Sequence, residues 1–589
     1  MFVSLRSAIH VTTLLGLIFA VPANIIAQTT ARLSVNSEGI QGNGNSLNPK
    51  ISADGRFVVF RSFANNLVTN DTNNFIDLFQ TEVATGITQR VNVTTNGSQI
   101  VGNLVDYAVS SNGRYVAFST DASGLIAGDT NNLSDIFVRD TIGNTTTRIT
   151  NGINNTLTDG SSIFPTISSD GRYVSYESVA TNLVANDTNA LRDIFVYDRT
   201  TSTTTRLSVS TTGIQSNAQS YNAVISGDGS EVAFFSEATN LVPGDTNAFG
   251  DVFVRNIAAG TTAIVSVSTS GALGNGISGT NDISISQNGK VIAFDSLATN
   301  LVTGDTNARL DVFLRDITVP ASPTTTRVSV GAGGVQGNGS SFLDVITPDG
   351  NSVLFDSNAT NLVSGDTNAN YDVFLYNRAS GTTTRVSLGV GDVQGNSESS
   401  FADISADGSR IVFASFATNL VPNDTNGFVD VFLRTLTQTG ANLTGTLNLE
   451  GISANAPSQT LTFTFRTGGV DTVKTVSVSP SGAFAIADLP RANYDVLISG
   501  GSYLSKRISV NLSAGSVTLP APVLVKTGDG TRDNAVDIAD LSLLITAYNR
   551  TTPAAGYDVR VDFNLDGMND IDDLILLITN YNMMGDSLL

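Results

Sequence analysis

A segment reading Ala-x-Asn-Leu-Val-x-x-Asp-Thr-Asn, with small variations, occurs seven times between residues 64 and 426, and this repetition constrains the fold more than any other feature. The Asp of each Asp-Thr-Asn falls at Asp71, Asp129, Asp187, Asp245, Asp305, Asp366 and Asp424, at intervals of 58, 58, 58, 60, 61 and 58 residues. Six residues after each stands a second Asp that opens an apolar run: Asp77, Asp135, Asp193, Asp251, Asp311, Asp372 and Asp430. A unit of this size cannot bury its apolar surface alone and must stack on its neighbours.

One unit reads as four antiparallel strands. A first strand ends near Ile51, and Ser52-Ala53-Asp54-Gly55 is a tight turn. Phe57-Val58-Val59-Phe60 is continuously apolar, as in a strand covered on both faces. A longer loop over Asn66 to Asn74 leads to a third strand from Asp77, and Arg90-Val91-Asn92-Val93 is expected as the fourth. Four short strands per unit, seven times over, predict a mainly β chain with a seven-bladed β-propeller over residues 28–437. The fourth-strand signature is missing after the seventh unit, while a spare copy, Arg32-Leu33-Ser34-Val35, precedes the first. Residues 31–35 are therefore expected to complete blade 7 and remove the open edges. Both long loop families, Asp-Thr-Asn and the Gly-[Ile/Val]-Gln-Gly-Asn of residues 39–43, then fall on one face, where binding is expected.

The pattern Ser-x-Asp-Gly-[Arg/Ser]-x-[Val/Ile]-x-Phe followed by Asp-[Val/Ile]-Phe, as in residues 405–413, resembles the TolB-type, WD-repeat-like propeller repeat. The resemblance covers about residues 31–437 and implies a fold rather than a function, since such propellers serve many purposes.

Asp71, Asn73 and Asp77 place three oxygen-bearing side chains within seven residues. Two readings stand: a Ca²⁺ site repeated in each unit, or a loop closed by side-chain-to-backbone hydrogen bonds.

The 589 residues carry a formal net charge of −21, which disfavours nucleic acid and anionic membrane surfaces as partners and favours cations. Residues 1–27 read as a secretory signal peptide, with Arg6 before an apolar stretch from Val11 to Val21 and cleavage after Ala27 or Ala23. The expected location is therefore extracellular, periplasmic or on the surface of a bacterial cell, with no membrane span in the mature chain. There is no Cys, and the single His is His10, inside the signal. Nucleophilic sites that need His or Cys, and zinc sites built from them, are excluded from the mature chain. Acid–base chemistry could still run on paired carboxylates.

The repeat stops near Leu436. Alternating runs at 461–465, 482–486 and 494–498 predict a β-sandwich of roughly seven strands over residues 438–525. Gly-x-Phe-x-Ile-x-x-Leu-Pro-x-x-x-Tyr-x-Val, residues 482–496, resembles the carboxypeptidase-regulatory-like sandwich that serves as a spacer.

Residues 526–589 hold two loops 33 residues apart, each running into an apolar helix. Asp529, Thr531, Asp533, Asp537 and Asp540 occupy positions 1, 3, 5, 9 and 12 of a calcium loop, and Asp562, Asn564, Asp566, Asp570 and Asp573 repeat them. Ala535 and Met568, at position 7, would offer backbone carbonyls, and a helix is expected from position 12. Two such half-hands resemble a type I dockerin, a small α-helical Ca²⁺-binding domain. The resemblance implies docking onto a cohesin-like or other extracellular protein. Asn534 departs from the usual Gly at position 6, and positions 10 and 11 are Ile538-Ala539 and Ile571-Asp572.

Together these features suggest a non-catalytic secreted binding or scaffold protein, with a propeller as platform and a Ca²⁺-dependent assembly module. A dockerin-tethered carbohydrate-active enzyme, acting on a glycan through a carboxylate pair, and a structural surface or matrix protein are the alternatives.

Overall fold

The computed structural model describes residues 28–436, 440–467, 470–489, 493–512 and 516–587; the signal-peptide reading of residues 1–27 falls outside them. The chain is mainly β. Each sequence repeat forms one four-stranded antiparallel sheet with strands in sequential order. Sheet 1 comprises Ser46–Ile51, Phe57–Ser62, Asp77–Glu82 and Thr88–Arg90. Sheets 2 to 6 span 104–148, 162–206, 220–264, 278–327 and 341–385. Sheet 7 comprises Ser399–Ile404, Arg410–Ser415 and Asp430–Thr435, and its fourth strand is the N-terminal Thr29–Arg32, antiparallel to Asp430–Thr435 with Arg32 opposite Phe432.

The clasp thus starts two residues earlier than residues 31–35, and regular pairing stops at Arg32. The same shift occurs in sheet 1, whose fourth strand ends at Arg90 rather than starting there. The cause is the polar residue two positions on. Ser34 Oγ accepts from Val431 N at 3.1 Å and donates to Asp430 at 2.5 Å; Asn92 Oδ1 likewise accepts from Leu78 N at 2.9 Å. A side chain takes the donor that a longer strand would have used.

The sheets meet in sequence order, and the seventh meets the first. Apolar cores sit between neighbours: Leu33, Ile51, Val58, Phe60 and Phe79 pack with Val412, Val431 and Leu433 across the closing junction. A belt of backbone hydrogen bonds links the tight turns, from Ala53 N to Ser111 O, Ser111 N to Ser169 O, Ser169 N to Gly227 O, Asp228 N to Gln287 O and Gln287 N to Pro348 O. Ala406 N donates to Ala53 O at 2.9 Å and carries the belt across the closing junction. Pro348, which has no N–H, cannot continue the belt toward Ala406.

The next stretch forms two four-stranded sheets. One holds Ala441–Leu449, Ala483–Leu489, Val517–Thr518 and Val523–Val525; the other holds Gln459–Thr467, Val470–Val478, Asn493–Gly500 and Tyr503–Asn511. They share a core that includes Leu443, Leu461, Phe463, Phe465 and Val496. The count is eight strands rather than about seven because two short C-terminal pieces both run parallel to Ala441–Leu449. The last residues carry α1, Ile538–Ala547, and α2, Ile571–Thr579. No helix among the described residues is long and apolar enough to cross a membrane.

Candidate functional site

Three polar assemblies stand out, and the first is the repeated loop. In sheet 1, Arg90 lies 3.2 Å from Asp71 and 3.2 Å from Asp77. Asn73 Nδ2 donates to the Asp77 carboxylate at 3.1 Å and to Ile100 O at 3.0 Å, while its Oδ1 accepts from Phe75 N at 3.0 Å. Of the two readings of Asp71, Asn73 and Asp77, this geometry is that of the hydrogen-bonded loop: the Arg90 guanidinium lies against both carboxylates, and the Asn closes the loop. Burial pushes the Asp77 carboxyl up, and Asn92 and Arg90 oppose the shift. The same arginine clamp recurs in every sheet except sheet 4, where Ile264 stands instead.

The second assembly is a cavity of about 400 Å³ along the ring axis, to which every sheet's first strand contributes. Lys50, Asp106, Thr166, Asn222, Asp282, Asp344 and Asp403 line it, one from each sheet. The first strands carry register shifts, for example between Tyr221 and Val224 and between Ser400 and Asp403. A bulge frees backbone N–H groups that need a partner. Carboxylates of the preceding sheet supply it: Glu177 accepts from Asn222 N at 2.6 Å, Asp356 from Phe401 N at 3.1 Å, and Asp344 from Ala402 N at 3.0 Å. Asp403 accepts from Ile51 N at 2.8 Å across the closing junction.

Burial dominates the titration of these groups. The Glu177 carboxyl is pushed up to about 7 by burial, against the pull of Asn222 N and Arg192. Burial also raises Asp295 and Asp344 to about 6. Burial raises both the Asp344 and the Asp356 carboxyl, and the neighbouring Asp344 charge raises Asp356 further. Lys50 is raised because Asp403, Asp282, Asp106 and Asp344 together outweigh its burial. Phe164, exposed on a bulged first strand at φ +52°, lines the cavity; Phe401, at φ +57° on another bulged first strand, and Phe63 and Phe416, directly after second strands, are exposed as well. Sequence reasoning missed this cavity. Its acids occupy different positions in their repeats, and only closure of the ring brings them together.

The third assembly is the pair of C-terminal loops. Asp529 accepts from Asp533 N at 3.1 Å and Asn534 N at 2.8 Å, and Asp540 from Thr531 N at 2.9 Å and Asp537 N at 2.8 Å. In the second loop Asp562 accepts from Asp566 N at 3.1 Å and Gly567 N at 2.9 Å, and Asp573 from Phe563 N at 2.6 Å and Asp570 N at 2.9 Å. Asn534 and Gly567 adopt φ +69° and +90°, the left-handed region that Asn and Gly tolerate. The helices start at Ile538 and Ile571, two residues before the expected position 12. Asp537 and Asp570 act as N-caps, and Asp540 and Asp573 complete capping boxes by bonding back to the cap N–H. Asp533 closes its loop by accepting from Ala535 N at 3.1 Å, Asn564 Oδ1 accepts from Asp566 N at 2.9 Å, and Met568 pairs with Thr551 in a short ribbon. Among the described residues no three acidic side chains stand close enough to share an ion as they are. Each loop does bring its first and last Asp together: burial, with a smaller push from Asp540, raises Asp529, and burial with Asp562 pushes Asp573 up to about 7.

No family model and no curated relative matches the chain. Among solved structures it is similar to an oligogalacturonate lyase in complex with manganese, at 12% identity over 69% of this chain and 93% of that one, with a TM-score of 0.44. A putative TolB from Agrobacterium tumefaciens matches at 16% identity over 48% of this chain and 80% of that one, with a TM-score of 0.31. A complex of a type II cohesin with an X-dockerin from Acetivibrio cellulolyticus matches at 27% identity over 25% of this chain and 98% of that one, with a TM-score of 0.22. The chain is a mainly β protein of repeated four-stranded sheets.

Proposed function

We propose that this chain is a secreted, non-catalytic binding and scaffold protein: a seven-bladed propeller serves as the platform, a β-sandwich spaces it, and a dockerin-like module docks onto a partner protein with Ca²⁺. The observation that carries the docking role is on the two C-terminal helices. Ile538 and Ile545 of α1, and Ile571, Ile575 and Ile578 of α2, are 53–65% exposed, while Leu544 and Leu577 fill the core behind them. Two matched apolar stripes facing outward are costly in a protein with no partner. The platform reading rests on the cavity, where the exposed Phe164 ring joins the carboxylates in the lining.

Two Ca²⁺ ions fit the donor chemistry. Asp529, Thr531, Asp533, Asp537 and Asp540, with the Ala535 carbonyl, would hold one. Asp562, Asn564, Asp566, Asp570 and Asp573, with the Met568 carbonyl, would hold the other. All are oxygen donors, and a divalent cation would relieve the repulsion between the buried carboxylates of each loop. The ions would supply structure rather than reactivity.

The non-catalytic reading is favoured by the bonding of the cavity acids. Asp344, Asp356 and Asp403 are each engaged in accepting from a backbone N–H of the next sheet rather than standing free across a groove. The test uses the full chain as bait in a native secretome, with calcium and with chelator, beside an assay on polygalacturonate and other acidic glycans. Retention of a protein only with calcium, lost in the Ile545→Asp/Ile578→Asp variant, is expected. Calcium-independent retention, or turnover of any glycan, would refute the proposal.

A further inference from the structure

In six of the seven sheets, an arginine ending the fourth strand clamps two buried aspartates. Arg206 lies 3.1 Å from Asp187 and 3.7 Å from Asp193; Arg385 lies 3.3 Å from Asp366 and 3.4 Å from Asp372. Several copies add a glutamine: Gln336 Nε2 donates to Asp305 at 2.8 Å, and Gln394 Nε2 to Asp366 at 2.9 Å. Sheet 4 has lost both donors. Ile264 replaces the arginine, and Leu273 replaces the glutamine in the same bridge to the preceding strand end.

The two aspartates nevertheless remain. Asp251 is fully buried, with Ser266 Oγ donating to one oxygen at 2.6 Å and Asn247 Nδ2 to the other at 2.9 Å. Asp245 is 8% exposed, and its Oδ1 is buried without any hydrogen-bond partner. In five of the six clamped copies Oδ1 of the loop aspartate is the atom that faces the guanidinium. The orphaned oxygen therefore points to where a positive charge sits elsewhere in the ring. A third oxygen belongs to the same place: the guanidinium donates to the carbonyl of the residue before the loop Asp, Asn186 at 3.2 Å and Gly365 at 3.4 Å, and Gly244 is the equivalent residue here.

Each clamped copy balances two carboxylates with one guanidinium. Sheet 4 leaves both charges uncompensated, which burial makes costly. We propose that sheet 4 holds a hard divalent cation between Asp245 and Asp251, in the position that an arginine fills in the other six sheets. Calcium is the probe that the all-oxygen donor set recommends.

The experiment counts bound calcium per full-length chain by equilibrium dialysis, in the parent, in Ile264→Arg, in Asp245→Asn, and in Asp529→Ala/Asp562→Ala with and without Ile264→Arg. Ile264→Arg installs a pair the ring already uses six times, so it is expected to fold. Either Ile264→Arg or Asp245→Asn should bind one ion fewer than the parent. The Asp529→Ala/Asp562→Ala variant should keep one ion, and adding Ile264→Arg should remove it. Equal stoichiometry in the parent and both sheet 4 variants, or no ion left in Asp529→Ala/Asp562→Ala, would overturn the proposal. Failure of the C-terminal loops to bind would appear separately, as an Asp529→Ala/Asp562→Ala count equal to the parent's.

Discussion

Glu177 shows how one residue can serve the ring at a price in pH range. Its carboxyl caps the N–H that the sheet 4 bulge leaves free at Asn222, meets Arg192 at 3.2 Å, and has Asp106 across the cavity. Burial raises it to about 7, from an ordinary value near 4.5. The folded chain then keeps a proton that the unfolded chain releases. Stability from this group is full below about pH 4.5 and is lost as pH rises through 7. The loss by pH 8 is on the order of 3 kcal/mol, at about 1.4 kcal/mol per unit. Glu177→Gln keeps an oxygen for Asn222 N and has no proton to lose. Urea unfolding should find the variant more stable than the parent at pH 8 and equal to it near pH 4; a constant difference across that range would count against burial as the cause. None of this was legible in the sequence beyond a Glu placed near an Arg. Asp106 and Asp282 lie three residues before the ends of their strands, Asp344 two and Asp403 one, so no motif links them.

At the scale of elements, the repeat made the sheets and even the displaced strand readable, because a signature absent at one end and spare at the other leaves one arrangement. The strand limits were misread for a local reason. Apolar content in Arg-Val-Ser-Val suggests a continuing strand, but the buried Ser or Asn diverts its neighbour's backbone donor and stops the ladder at the Arg. The clasp should therefore act through few but long-range bonds. Thr29–Arg32 pairs with four residues of the last strand, Arg32 bridges Asp424 and Asp430, and Leu33 joins the core between sheets 7 and 1. Deleting residues 28–36 exposes that core, opens an edge and leaves Asp424 and Asp430 unpaired. Removing one partner of a buried ion pair alone costs about 3–5 kcal/mol. Calorimetry should show the ring melting many degrees lower, and adding the missing segment as a separate peptide should restore part of the loss. An unchanged melting temperature would rule out the clasp as a stabilising element.

At the scale of the whole molecule, the two-sheet unit and the helical C-terminus are joined through packing that neither sequence segment announces. Leu504, on a strand of the two-sheet unit, is buried in the core of the helical unit with Val536, Leu544, Ala547, Val561, Phe563 and Leu577. Glu450 reaches across to Lys526 at 2.6 Å and to Asn580. Asn534, the departure from Gly in the first loop, finds its reason here. Its Oδ1 accepts from Ser505 N at 2.8 Å and its Nδ2 donates to Asp586 O at 3.3 Å. A side chain that tolerates φ +69° and also docks the loop onto a strand does what Gly cannot. Two variants separate the roles. Leu504→Ala removes a buried side chain from the helical core and should cost about 2–5 kcal/mol. Asn534→Gly should leave the loop backbone at ease while freeing Ser505 N. Hydrogen exchange on the full chain then distinguishes them. Leu504→Ala is expected to speed exchange throughout α1 and α2, and Asn534→Gly only at Ser505 and its neighbours. Calcium should slow exchange on the Tyr503–Asn511 strand in the parent, because the loop it orders grips that strand through Asn534, and this transfer should vanish in Asn534→Gly. Persistence of the transfer in that variant would mean that Leu504, rather than the loop, carries the coupling.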